Sequence, residues 1–300
     1  MESSSELDPK RQRVRALMML FFLATCIPFG FSDSSKPGAT DFAKPWIGPD
    51  GETLPFRTYD EIEDFLLTAD VLNQDVIPIG TTKPRKVLLE REGLRANACF
   101  RDVDIYMATA IIPGHGTRTH WRDSCEFECA AYQLAKLLGL NNIPPVVKRR
   151  IGNKEGTLQI WVENTFNEFD RAEKSLVPPD SWRYKMQWHV MALFDALIYN
   201  DDRTAANILY DQDWTMWLID HTRSFTLISS LPEPLLFKYC ERNVWNRLLN
   251  LDEGAVKEAL SEYLRSQEIS ALLKRREELI AYFQKRIERK GEKKVLFSFY

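Results

Sequence analysis

The chain has few of the residues from which zinc sites and disulfide frameworks are built. Its 300 residues include five cysteines, an odd number, and no two of them form a C-x-x-C pair. The sequence therefore indicates neither a zinc ribbon nor a thioredoxin-type redox motif, and no disulfide framework of the kind found in small secreted domains. Cys125 and Cys129 lie four residues apart in a helical pattern, which is typical of two small helix residues with one facing the core.

The sequence also lacks a strong charge of one sign. Forty Lys and Arg against 43 Asp and Glu give a formal net charge of -3, so no broad basic field is available to follow a nucleic-acid backbone. We therefore expect no nucleic acid partner. The composition, 44% hydrophobic and 28% charged, is that of a globular protein with a sizeable core.

An apolar run near the N-terminus is short for a membrane span. Four basic residues from Lys10 to Arg15 precede apolar residues 16–31, about 16 positions where a span needs roughly 20. This order is typical of a signal peptide. We expect residues 1–31 to be a signal peptide or N-terminal anchor, with export or membrane association through residues 16–31. The alternative is an apolar tail on a cytoplasmic protein.

Composition and periodicity divide the rest of the chain into three parts. Residues 32–57, rich in Ser, Gly, Pro and Asp, are predicted to be a linker. Residues 58–163 combine a short amphipathic helix over 60–72, several strand-like runs and one strong helix. Residues 164–300 are mostly helical.

Two helices have clear boundaries in the sequence. The helix over residues 124–138 is predicted to end at Gly139, and another is predicted from Asp180 to about Tyr199. Two short strand-like runs follow the second helix. The whole pattern predicts an α+β class with a small mixed β-sheet lobe, containing one key helix, followed by a mainly helical C-terminal lobe; a two-lobed protein-kinase-like fold has this layout.

A polar segment after the second of these helices carries the candidate chemistry. Asp202 and Asn207 are spaced D-x-x-x-x-N, and Asp220 directly follows the apolar residues 217–219. Phosphoryl transfer from ATP needs a carboxylate to accept the proton of the attacking hydroxyl and oxygen ligands for the bridging metal, and kinases place the base and a metal-binding Asn at this spacing. We predict Asp202 as catalytic base and Asn207 and Asp220 as ligands of Mg²⁺ or Mn²⁺. Chance spacing of turn-capping aspartates is the alternative.

The segment around Asp202 resembles the D-R-H-x-x-N-I-L loop of the phosphoinositide kinases and their relatives, which include the HipA-like kinases and the secretory-pathway casein kinases. Three earlier stretches are similar to elements of that family in the same order. Residues 98–101 resemble its A-V-F-K strand, residues 128–134 its E-x-A-A-Y-x-L helix, and residues 156–163 the strand that enters its adenine hinge.

The resemblance implies an ATP-dependent phosphotransferase that uses Mg²⁺ or Mn²⁺. Arg101 would hold the phosphates and Glu128 would steady it, while Val162 and Glu163 would offer hinge backbone groups to the adenine. Because a buried arginine without a carboxylate is costly, we expect the first two side chains to lie together. The acceptor stays open among a protein, a lipid headgroup and a small molecule.

Three departures from the family pattern bear on catalysis rather than on the fold. Arg101 replaces lysine, which keeps the charge but changes its geometry. Thr204 replaces histidine, and Asp220-His221-Thr222 replaces D-x-G, so a flexible glycine is lost.

Two other interpretations remain open at this stage. The chain could be a pseudokinase that binds a nucleotide, or nothing, and acts through protein contacts, or it could be a helical scaffold without a nucleotide site. If Arg101 were misplaced, Lys83 or Lys86 would become the phosphate-binding candidate.

Overall fold

The computed structural model describes residues 45–78, 82–112 and 116–299. The predicted signal peptide or anchor, residues 1–31, lies outside these ranges, as does the start of the predicted linker. The described end of that linker, residues 45–57, packs on the small lobe, where Leu54 is buried. Within the described ranges, no helix is both long and apolar enough to cross a membrane.

The small lobe combines helices with antiparallel strands. In chain order its elements are α1 (Tyr59–Thr68), β1 (Asp70–Val76), β2 (Arg85–Arg91), β3 (Leu94–Arg101), β4 (Asp104–Ile112), β5 (Gly116–Ser124), α2 (Glu126–Leu138), β6 (Val146–Ile151) and β7 (Lys154–Ile160). One sheet has the spatial order β1-β2-β3-β7-β6, and β4 and β5 form a separate hairpin.

The five-stranded sheet has an apolar face and a polar one, because side chains alternate along each strand. On β3, Ala98 and Phe100 belong to a buried core that includes Phe65 of α1. Cys99 and Arg101 therefore lie on the opposite face. This alternation directs the guanidinium of β3 away from α1.

The first helix is shorter than the sequence pattern predicts. A helix over residues 60–72 was expected, but α1 ends at Thr68, Ala69 is extended (ψ 145°) and β1 starts at Asp70. The prediction is wrong at this end because β1 pairs with β2 along its length. Tertiary pairing of a polar edge strand overrides a weak local helix propensity.

The β4–β5 hairpin connects β3 to α2 and so brings α2 back beside the sheet. Residues 113–115, between β4 and β5, lie outside the described ranges. Helix α2 begins at Glu126 and ends at Gly139, whose left-handed backbone (φ +67°) confirms the predicted C-terminal boundary.

The second lobe is mainly helical. In chain order its elements are β8 (Phe166–Asn167), α3 (Glu168–Glu173), α4 (Ser181–Ile198), β9 (Ile208–Tyr210), β10 (Met216–Leu218), β11 (Cys240–Glu241), α5 (Arg242–Asn250), α6 (Glu253–Leu260), α7 (Ser266–Lys290) and β12 (Leu296–Phe297). The predicted α+β, two-lobed architecture is confirmed.

Helix α4 and the strands after it have the predicted positions. Asp180 caps α4 by accepting a hydrogen bond from the Arg183 amide at 2.9 Å, and Tyr199 ends it with a left-handed backbone. The β9–β10 hairpin places Leu218 opposite Ile208. Since helix and hairpin both pack into one large core, the loop between them is fixed at both ends.

Candidate active site

The centre of the site is an ion pair between β3 and α2, both in the small lobe, beside the end of β10 in the second lobe. Arg101 Nε lies 3.7 Å from Glu128 Oε1 and 3.9 Å from Asp220 Oδ1. The side chains of Arg101 and Glu128 are almost wholly buried. The expected proximity of this pair is therefore observed, at ion-pair rather than hydrogen-bond distance.

His221 also contacts the Glu128 carboxylate, through its backbone and its ring. Its backbone N–H donates to Glu128 Oε1 at 3.0 Å, and its Nδ1 lies 3.1 Å from Oε2. Because an ionised carboxylate only accepts, Nδ1 carries the hydrogen in this contact. Burial alone would raise the pKa of Glu128, but Arg101 and the His221 hydrogen bonds hold it at about 2. In the sequence, His221 stands out only as part of the departure from the D-x-G pattern.

This contact leads to a stability prediction. His221→Ala should lower the free energy of unfolding by about 1–3 kcal/mol, because it strips a buried carboxylate of a donor, as measured in urea at neutral pH. His221→Asn is the matched control, since its amide N–H can replace the ring donor. Equal stability of the Ala variant and the native protein would contradict the role.

The Arg101–Glu128 ion pair should make the stability of the fold depend on pH in a defined direction. The folded pKa of Glu128, about 2, lies below its ordinary value of 4.5. Its contribution to stability should therefore be complete above pH 4.5 and be lost as the pH falls toward 2. Urea titrations from pH 6 to pH 2.5 check this, with Glu128→Gln expected to flatten the dependence.

Arg203 organises the segment that contains Asp202 and Asn207. Its guanidinium grips both oxygens of Asp195 on α4, at 2.9 Å each. Its Nη1 also donates to the backbone carbonyls of Asn207 at 3.1 Å and Ile219 at 2.6 Å. One buried side chain thus joins α4, the loop and the end of β10. The sequence pattern predicts no role for Arg203.

Asp202 lies beside a second arginine, Arg223, for which the sequence predicts no role. Arg223 Nη1 lies 3.1 Å from Asp202 Oδ2, and Arg223 Nε donates to Asp123 Oδ2 at 2.7 Å. The Asp202 side chain stays 39% exposed. Partial burial raises its pKa against the attraction of Arg223, with help from the neighbouring Asp220. A carboxylate with a raised pKa is a better proton acceptor.

Asn207 and Asp220 are neighbours across the β9–β10 hairpin. The Ile219 N–H donates to the Asn207 carbonyl at 3.2 Å, which places the next residue, Asp220, beside Asn207. Asp220 has a left-handed backbone (φ +62°), whereas Thr222 does not. The lost glycine therefore imposes no backbone strain at position 222. Thr222 instead directs its hydroxyl toward Asp220 Oδ1, 3.4 Å away.

The side-chain oxygen atoms of the site could hold Mg²⁺ or Mn²⁺ only together with a bound nucleotide. Among the described residues, no group of three or more His, Cys, Asp and Glu is arranged to hold a metal ion. Asp220 and Asn207 offer hard oxygen ligands, and Mg²⁺ at nucleotide sites is bound by one or two carboxylates plus phosphates and water. The residues present are thus compatible with a metal carried by a nucleotide.

Val162 and Glu163 lie away from the charged centre, at the far end of the polar face. The adjoining Trp161 N–H donates to the Asn97 carbonyl at 2.9 Å, and Asn97 Nδ2 donates to Glu163 Oε1 at 2.6 Å. Asn97 and Arg101 are four residues apart on β3, roughly 13 Å. About that distance along β3 separates the predicted hinge end from the predicted phosphate-binding residue.

The two alternative phosphate-binding candidates, Lys83 and Lys86, are not needed to explain the site. Lys86 Nζ lies 3.9 Å from Glu163 Oε1 and 4.6 Å above the Trp161 ring, which places it at the hinge end. Lys83, in a left-handed turn, makes no contact with the charged centre that the structure describes. Arg101 stays the candidate.

Neither a scan against protein-family models nor a search of curated proteins finds a match, but solved structures do resemble the chain. Hydra Fam20 with sugar has a TM-score of 0.61 at 16% identity, covering 81% of this chain and 93% of that one. The Golgi casein kinase has a TM-score of 0.57 at 14% identity, covering 79% and 77%; its form with Mn/ADP bound has 0.56, 14%, 79% and 78%. The chain therefore has the predicted atypical protein-kinase-like fold, of the kind found in secretory-pathway kinases.

Proposed function

We propose that the protein is an ATP-dependent phosphotransferase acting on a hydroxyl group. The observation that supports this most is the meeting of Arg101, Glu128 and Asp220, which come from three separate elements. Asp202 and Asn207 adjoin them on one loop. A structural role alone gives no reason to gather these charges at the junction of two lobes.

Each residue then has a role in the transfer. Val162 and Glu163 offer backbone groups to the adenine, and Arg101 holds phosphate oxygens through its paired N–H groups. Asn207 and Asp220 bind the metal, which neutralises phosphate charge when present. Asp202 orients the acceptor hydroxyl and takes its proton. Mn²⁺ should be tested as well as Mg²⁺, because a structural neighbour was solved with Mn/ADP bound.

The proposal is tested by thermal unfolding with nucleotide. At 100 times its Kd, a ligand that binds only the folded state adds about 2.7 kcal/mol, which for a chain of this size raises Tm by roughly 4–5 °C. Mn-ATP and Mg-ATP should give this shift, and ATP with a chelator should give less. No shift at millimolar Mn-ATP would overturn the proposal.

A pseudokinase is the second candidate, because Arg101 stands where the related kinases carry lysine. A pseudokinase that binds a nucleotide also predicts the thermal shift, so ADP release separates it from the enzyme. A nucleotide-dependent shift without ADP formation, in the presence of varied acceptors, would favour the pseudokinase.

A further inference from the structure

One end of the second lobe is strongly basic, although the chain as a whole is slightly acidic. Residues 285–294, the last turn of α7 and the turn that follows it, contain six Lys or Arg and two Glu. The whole chain has a formal net charge of -3. One of the two glutamates, Glu292, is paired with Arg242, which brings a further cation to the same place. Positive charge is therefore concentrated at the end of α7.

The segment before β11 packs against this end of α7. The Tyr282 hydroxyl of α7 donates to the Phe237 carbonyl at 3.0 Å. The Cys240 N–H donates to the Val295 carbonyl at 3.1 Å, just before β12. Residues 236–239 are therefore held between α7 and the C-terminal strand, beside the cations described above.

The start of α4 completes the same surface. Trp182 packs edge-on against Phe297 and Phe299, with ring centroids 5.9 and 6.2 Å apart. The first turn of α4 thus lies next to the C-terminal strand. We call this surface the basic end, and it comprises residues 182–185, 236–239 and 285–299.

Cations from three parts of the chain converge on His189 beside the basic end. Burial and then the positive charges of Lys238, Lys185 and Arg286 lower the pKa of this histidine to about 4, so it is neutral at physiological pH. Among the described residues, neither Lys238 nor Arg289 forms an ion pair with a carboxylate. Both side chains are exposed, and their charges are available to an anionic partner.

Exposed apolar side chains lie among these cations. Trp182 and Leu236 are each 44% exposed and Tyr239 is 37% exposed. Trp and Tyr, with an apolar ring and a polar atom, are favoured where one end of a side chain is in water and the other is not, as at a membrane surface. Lys and Arg suit the same place, because their stems cover apolar surface while their charges stay in water. The composition of the basic end is thus that of an interfacial surface.

An anionic membrane fits this surface better than an acidic protein does. A protein partner would need carboxylates fixed opposite each cation, whereas a fluid bilayer can bring anionic headgroups to cations spread over three segments. Its headgroup region also accepts the apolar side chains between them. We infer that the basic end docks on an anionic lipid surface. This inference goes beyond the proposed function and holds equally for an enzyme and a pseudokinase.

Docking in this way leaves the candidate active site accessible. Helix α4 runs from Ser181, at the basic end, to Ile198, 18 residues or about 27 Å. The loop that carries Asp202 follows the far end of this helix. The cleft would therefore lie clear of the lipid headgroups and open to an acceptor.

Vesicle binding by the full chain tests the inference. The probes are vesicles of phosphatidylcholine alone and of phosphatidylcholine with phosphatidylserine at about 3:1, and co-sedimentation measures the partition. We expect tighter binding to the anionic vesicles at low salt. The difference should disappear at 1 M salt, where the screening length falls to about 3 Å. The apolar residues 16–31 contribute to both vesicle types alike, so the comparison cancels their effect.

A charge-neutralising variant locates the contact. Each Lys or Arg near an anionic surface contributes about fivefold to the partition, so Lys238→Gln with Arg289→Gln should weaken binding to the anionic vesicles by roughly 25-fold. Both positions are exposed, and Tm should not change. The matched control is Arg57→Gln with Arg95→Gln, which removes the same charge from exposed positions of the small lobe and should change the partition less than twofold.

Hydrogen exchange on the vesicle-bound chain gives a local readout. Amides of residues 236–239 and 291–299 should be protected on the anionic vesicles and not on the neutral ones. Polyglutamate in place of vesicles tests the alternative partner, an acidic protein, against the same amides.

The possible results decide between these partners. Equal partition of the double variant and its control, or no protection of these amides on anionic vesicles, would overturn the inference. Protection by polyglutamate but not by anionic vesicles would also overturn it, in favour of an acidic protein partner. Protection on anionic vesicles that the double variant loses and the control variant keeps would assign the basic end to the lipid surface.

Discussion

Replacing Asp220 by Ala should abolish transfer and also weaken metal-dependent nucleotide binding. Asp220 is the carboxylate nearest Arg101 after Glu128, and it adjoins Asn207 across the β9–β10 hairpin. In the proposed site the Asp220 carboxylate and the nucleotide phosphates share the metal ion, since the described residues include no group of three or more His, Cys, Asp and Glu that could hold one. Loss of the carboxylate therefore removes both functions together.

Asp202→Asn is the matched comparison for this variant. It changes a carboxylate on the same charged surface, but one whose role concerns the acceptor. We expect ADP release to fall by roughly 10²–10⁴-fold while the Mn-ATP thermal shift persists. Asn keeps an oxygen for the Arg223 contact, so folding should be little affected.

The measurements are the thermal shift with Mn-ATP, the same shift with ATP and chelator, and ADP release with an acceptor. Asp220→Ala should make the two shifts equal, whereas Asp202→Asn should leave their difference intact. Equal metal-dependent affinity in the native protein and the Asp220 variant would exclude Asp220 as a ligand. Unchanged turnover in the Asp202 variant would point to Asp201, which is held by Arg118, as the base.

Local spacing was enough to predict the elements of the site. Asp180 and Gly139 are residue types that favour helix ends, so each predicts the helix boundary next to it. The pairing of Arg101 with Glu128 was predictable because strand alternation and helix periodicity each select one face, and a buried guanidinium needs a carboxylate.

The contacts that hold the site together were not predictable in the same way. His221 reaches Glu128 across 93 residues and Arg223 reaches Asp123 across 100. No periodicity connects such positions, because only the packing of the lobes decides which side chains meet. The prediction of a helix over residues 60–72 was wrong at its end for a related reason, because the last of these residues pair with β2 as a strand.

Thr222 illustrates how a structure changes the meaning of a sequence departure. The D-x-G pattern suggested that loss of glycine would restrict the backbone after Asp220. The left-handed residues of this loop are instead Asp220 and Phe225, so position 222 accepts a β-branched residue. The departures that still bear on catalysis are Arg101 and Thr204.

The second large effect concerns Arg203, whose replacement by Leu should destabilise the fold by about 3–5 kcal/mol. The substitution leaves the Asp195 carboxylate, 10% exposed, with Asn200 Nδ2 as its remaining hydrogen-bond donor in the described structure. An unpaired buried charge has a cost of this size. The backbone carbonyls of Asn207 and Ile219 lose a donor as well.

Arg276→Leu is the control for this variant. Arg276 also donates to two backbone carbonyls, those of Leu248 and Leu249, at 2.9 and 3.1 Å. Among the described residues, no carboxylate forms an ion pair with Arg276. Its replacement should therefore lower the free energy of unfolding by about 0.5–1.5 kcal/mol per lost hydrogen bond. Urea unfolding of the two variants thus isolates the effect of the uncompensated Asp195.

The double variant Arg203→Leu with Asp195→Leu completes the test. Replacing a buried ion pair by apolar residues is often close to neutral, so much of the lost stability should return. Transfer should not return with it, because Arg203 also fixes the carbonyls that position Asn207 and the residue before Asp220. A double variant that regains both stability and ADP release would show that Arg203 serves the fold alone. Recovery of stability without ADP release would identify Arg203 as a positioning residue for the metal ligands.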